Sequence, residues 1–121
     1  MKPFLRSQLE RYAQRLGELD FLLSREDIMS DMAQYRRISV EHAEVTQVAG
    51  RYARYQQREA DLAGAREMLA DPDMAEMAQE EITSAEAELR AGDAEMRAQT
   101  AQTVSRLFLR SQSKTPHNNG L

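Results

Sequence analysis

The chain has 121 residues, enough for one domain, and 41% of them are apolar while only 6% are aromatic. It has no cysteine, which excludes disulfides, zinc–thiolate sites and cysteine nucleophiles. The net charge of −4 divides unevenly, since residues 1–95 hold 20 acids against 12 bases while residues 96–121 hold four bases and no acid. An acidic body is not that of a bulk nucleic-acid binder, so any RNA contact must be local. Ala, Glu, Arg and Leu at helical spacing read as a coiled coil or a bundle of long helices. No run of apolar residues is long enough to span a membrane. The opening MKPFLRSQLERY becomes charged too early for a signal peptide. The expected location is the cytoplasm.

The first predicted element runs from Pro3 to Leu23. Leu5, Leu9, Tyr12, Leu16, Leu19 and Leu23 step by 4, 3, 4, 3, 4, a heptad seam. Pro3 is tolerated in a first helical turn. Phe21 lies off the seam and is expected to broaden its apolar face. Ser24 and Asp27 fit a loose capping box at the break.

The second element, residues 27–70, organises the rest. Ile28, Met32, Tyr35, Ile38, Val45, Val48, Tyr52, Tyr55, Leu62 and Leu69 form one helical face. Such a helix is roughly 65 Å long, against about 27 Å for a globule of this chain length. It must therefore be a spine with the other segments packed along it. Gly50 and Gly64 inside it are expected to mark a bend or a close helix contact.

Asp71-Pro72 makes the second break, with Asp71 as N-cap and Pro72 at the first position of a third helix. Met74, Met77, Ala78, Ile82, Ala85 and Leu89 carry its apolar face. From Ala91 the text turns small and polar, and Met96 is the one large apolar residue of AGDAEMRAQTAQT. A further helix through Val104, Leu107 and Phe108 is expected, followed by a disordered tail, SQSKTPHNNGL. Short breaks between long amphipathic helices imply antiparallel neighbours. The predicted fold is all-α, an elongated antiparallel three-helix bundle or coiled coil with one long central helix. The central helix is expected to outreach the others, leaving a face for docking or self-association.

Chemistry is sparse. His42 lies close to the apolar stripe and His117 in the tail. There is no Glu-x-x-His pair, phosphate loop, nucleophile elbow or His-Glu-x-x-His. No catalytic residue, cofactor or metal is expected. The one local candidate is Arg51, Arg54 and Arg58, interleaved with Tyr52 and Tyr55. Their spacing of three and four places three guanidinium groups on one side of the spine, able to hold RNA phosphates or an acidic protein face. The alternative is a solvated face whose Arg stems cover aromatic rings.

MKP at the start, DMAQYRRISVEHAEV and above all EMLADPDMAEMAQEEI resemble the N-terminal domain of the bacterial peptide chain release factor 1 family, whose members read UAA and UAG. The residues that carry the resemblance are Met68, Leu69, Asp71, Pro72, Asp73, Met74, Met77 and Ala78. It covers about residues 1–90, which gives two expected regions: a release-factor helical domain at 1–90 and an atypical continuation at 91–121. The start is unlike the second release-factor type. The resemblance implies a helical bundle that acts in translation termination by contacting the ribosome. It reaches toward the large-subunit stalk base and influences a partner translational GTPase. In that family codon reading and peptide release belong to a Pro-x-Thr type loop and a Gly-Gly-Gln motif in later domains, and this sequence contains neither. After Arg90 it departs from the family's leucine-rich helix end. That suggests a truncated or frameshifted gene product, or a fragment with a foreign tail.

Two other readings compete. A generic coiled-coil interaction module predicts no affinity for ribosomes. A small all-helical chorismate-mutase-like enzyme is disfavoured, because such sites use core cations, usually including a Lys. The only lysines here are Lys2 and Lys114, both near the termini.

Overall fold

The computed structural model describes residues 1–114, with side chains through Thr103. Three helices follow one another: α1 (Pro3–Leu23), α2 (Met32–Met68) and α3 (Ala75–Lys114), with a 3-10 turn at Ile28–Ser30. No strand occurs among the described residues. The all-α bundle read from the sequence is the observed architecture.

Helix α1 has the expected bounds. It stops where Ser24 Oγ turns back to donate to Phe21 O at 2.7 Å. Ser24 thus closes α1 and does not cap α2. The spine starts later than 27, because Asp31 is its N-cap: in extended geometry (φ −127°, ψ 92°), it accepts from Gln34 N–H at 3.1 Å. Ile28 plugs the junction with Leu19, Ile38 and Val45. Phe21, expected to widen the seam, is exposed.

The third helix also starts later than predicted. Asp71 Oδ1 accepts from Asp73 N–H at 2.9 Å and Asp71 O from Met74 N–H at 3.0 Å. These bonds make a turn, and Asp71 is not an N-cap; α3 begins at Ala75. It then runs 40 residues without interruption across Arg90–Ala91, where the composition changes. Helix α2 has 37 residues, so it outreaches α1 with its 21 but not α3 with its 40. Val104, Leu107 and Phe108 lie in α3, and so do residues 111–114, where the composition predicts a disordered tail. Residues 115–121, including His117, lie outside the described residues.

The core forms three clusters along α2. Leu19, Ile28, Ile38 and Val45 close one end. Leu5, Leu9, Val48, Tyr52, Tyr55 and Met96 join all three helices in the middle. Leu62, Ala65, Ile82 and Ala85 zip α2 to α3 toward the other end. Small residues let these last helices approach closely, which an Ala-rich sequence permits at little side-chain entropy cost. Gly50 and Gly64 mark no close contact: a Cβ built at either meets nothing within 4 Å.

Candidate functional site

Arg51, Arg54 and Arg58 do share one side of α2, as their spacing predicted. They edge a groove of about 390 Å³ between α2 and α3 whose apolar lining is Tyr55, Leu89 and Met96. Helix α3 decides the electrostatics of this groove. Arg51 Nη1 meets Glu95 Oε1 at 2.7 Å. Arg58 is caged: Nη1 pairs with Asp61 at 3.0 Å, and Nη2 with Glu88 at 2.7 Å and Glu81 at 3.1 Å. The hydrogen bonds that Arg58 donates to Glu81 and Asp61 raise its pKa further above the usual guanidinium range. Bonds from Gln57 and Arg58 hold Asp61 below the usual carboxylate range. Arg54 is exposed and has no hydrogen-bond or ion-pair partner among the described residues. The three cations are therefore not equivalent. Arg54 is available to an anion as it stands, whereas Arg51 and Arg58 must first exchange a carboxylate.

Tyr52 does not join this face. It is buried toward α1, where Arg6 lies 6.0 Å from its ring centroid and donates to its hydroxyl at 3.2 Å. Arg6 also grips Glu59, at 2.6 and 3.3 Å. Further along, Arg15 forks onto Glu41 at 2.6 and 2.8 Å. These two forks fix the register of α1 on α2. Nothing in the sequence singles them out, since the partners lie 53 and 26 residues apart. His42 is half-buried and pairs with Asp20 Oδ1 at 2.7 Å, a link between α2 and α1. No group of three or more His, Cys, Asp or Glu side chains is arranged to hold a metal ion among the described residues. No described helix is long and apolar enough to cross a membrane.

Fold and site together define a helical bundle whose polar faces are laced by ion pairs and whose groove between α2 and α3 is edged by Arg51, Arg54 and Arg58 with Glu88 and Glu95. The PCRF domain family model matches residues 12–105, and the chain belongs to that family. It is similar to peptide chain release factor 1 of Acidovorax sp. (strain JS42), 91% identical over 86 residues that cover 71% of this chain and 23% of the relative. It is likewise similar to the release factor 1 of Paracidovorax citrulli (strain AAC00-1), 89% identical over 87 residues, 72% of this chain and 24% of the relative. The release factor 1 of Methylibium petroleiphilum is 53% identical over 87 residues, again 72% and 24%. The chain thus spans about a quarter of the length of the curated relatives it matches. No solved structure matches it.

Proposed function

We propose that this chain serves translation termination as the ribosome-contacting helical arm of a class I peptide chain release factor. The observation that carries this reading is the PCRF match over residues 12–105 together with 91% identity to a protein named peptide chain release factor 1. The arm acts by binding, in the cytoplasm, and performs no bond chemistry itself. Its contact is the stalk base of the large subunit, where it also bears on a partner translational GTPase. Arg54 offers the first charge to ribosomal RNA phosphate, and Arg51 and Arg58 follow by exchanging their carboxylates.

Sedimentation with purified large and small subunits tests the reading. The chain is expected to pellet with large subunits, and a translational GTPase bound at the stalk base is expected to displace it. Absence from the pellet at every subunit concentration would reduce the chain to a generic helical interaction module. Arg54→Ala is expected to weaken pelleting more than Arg51→Ala. Unchanged pelleting of the triple variant Arg51→Ala/Arg54→Ala/Arg58→Ala would remove the arginine face from the contact while leaving the arm itself in place.

A further inference from the structure

Three large apolar side chains stand in the open at one end of the α2–α3 hairpin. Met68 is 49% exposed, Leu69 42% and Met77 65%. A tight turn brings them to the same end: Asp71 N–H donates to Met68 O at 3.1 Å, and Met74 N–H to Asp71 O at 3.0 Å. The core of this half is built from Leu62, Ala65, Ile82 and Ala85 and is only two helices thick. No third layer covers the hairpin end among the described residues.

The surroundings of this patch carry one sign of charge. Residues 67–89 contain eight acids and no base. Six of the eight, Glu67, Asp71, Asp73, Glu76, Glu80 and Glu81, fall within 67–81. Arg66, the nearest base in sequence, is tied to Glu86 at 3.1 Å. A flexible Met-rich apolar patch ringed by polar groups is the form of a protein docking surface.

The charge selects the occupant. Nucleic acid would bring phosphates against carboxylates. A second copy meeting it end to end would set two acidic rims against each other. We propose that the hairpin end formed by Met68, Leu69 and Met77 docks a basic protein segment that presents an apolar stripe between Lys or Arg side chains. This surface is separate from the Arg54 groove and does not depend on the release-factor reading.

The test uses the full chain, labelled with nitrogen-15, and three probes: an amphipathic Lys/Leu helical peptide, the same peptide with Glu for Lys, and an oligouridylate. Amide shifts centred on residues 66–80 are expected with the Lys/Leu peptide alone. They should weaken as ionic strength rises from about 0.05 to about 0.5 M, because the screening length shortens. Met68→Ser/Leu69→Ser/Met77→Ser should raise the Kd by about tenfold or more, with the far-ultraviolet circular dichroism unchanged because the three side chains are exposed. Asp73→Asn/Glu76→Gln/Glu80→Gln should weaken binding while leaving the apolar patch intact. An equal response to the Glu peptide, shifts at the hairpin end with RNA, or shifts there on raising chain concentration alone would overturn the proposal. So would an unchanged Kd in the triple Ser variant.

Discussion

Gly92 of α3 faces the ring of Tyr55 of α2: a Cβ built on Gly92 lies 3.4 Å from Tyr55 Cδ2. Tyr55 belongs to the cluster that joins all three helices. The distance is at the lower edge of ordinary van der Waals contact, so one methyl group fits and a longer side chain does not.

Gly92→Ala should therefore be tolerated, its helix propensity gain of about 0.5–1 kcal/mol offsetting a tight contact. Gly92→Leu should destabilise, because the Tyr55 ring would have to leave a well-packed site. Gly64→Ala, with nothing within 4 Å of the new Cβ, is the control and should gain the whole of about 0.5–1 kcal/mol. Urea denaturation of the three variants checks the order, and a Gly92→Leu variant as stable as the parent would refute the contact.

The arginines of the groove should separate by role. Arg58→Ala removes contacts with Asp61, Glu81 and Glu88 and leaves three carboxylates close together. It should lower Tm, and added salt should shrink the difference from the parent by screening the repulsion. Arg54→Ala removes no ion pair among the described residues and should leave Tm unchanged. Thermal melts at low and high salt decide between these outcomes.

Leu9 and Leu19 are fully buried, in different clusters. Each Leu→Ala change should cost about 2–5 kcal/mol. The sites share no cluster, so the double variant should be additive within about 0.5 kcal/mol. Chemical denaturation of the two single variants and the double variant measures this, and strong coupling would show that the clusters act as one core.

Alkaline pH should weaken the fold before moderate acid does. Burial, with Glu44 adding to it, raises Tyr12 above its ordinary value of 10.0. Burial, followed by Glu59 and Asp93, raises Tyr55 in the same way. A folded pKa above the unfolded one contributes stability that is complete below 10.0 and lost as pH rises through the folded value. The lowered Asp61 behaves oppositely: its contribution is complete above 3.8 and is lost as pH falls through its folded value. Tm should fall above pH 10.0, and Tyr12→Phe should flatten part of that limb. Tyrosinate absorbance followed alongside the melt checks that ionisation and unfolding coincide.

The sequence by itself determined the class of fold and much of its core. Leu5, Leu9 and Leu19 are buried where the heptad steps put them, as are Ile38, Val45, Val48, Tyr52, Tyr55 and Leu62 on α2. Periodicity is a local property, and side chains three and four apart must share a face in any helix. The Met-Leu-x-Asp-Pro text carried the family resemblance in the same local way. Contacts between helices were not legible. Asp71 and Ser24 do not cap the helices that follow them, because several polar residues near each break compete for the same backbone groups and tertiary packing chooses among them. The polar text after Ala91 looked like a break, yet α3 continues through it: Gly92 accepts the Tyr55 ring and Met96 completes the central cluster. Arg51, Arg54 and Arg58 looked alike in the sequence. Which of them meets a carboxylate depends on the register of α3 against α2, set by Ile82 and Ala85 packing with Leu62 and Ala65. Residue spacing along one helix holds no record of that register, and only the packed structure decides it.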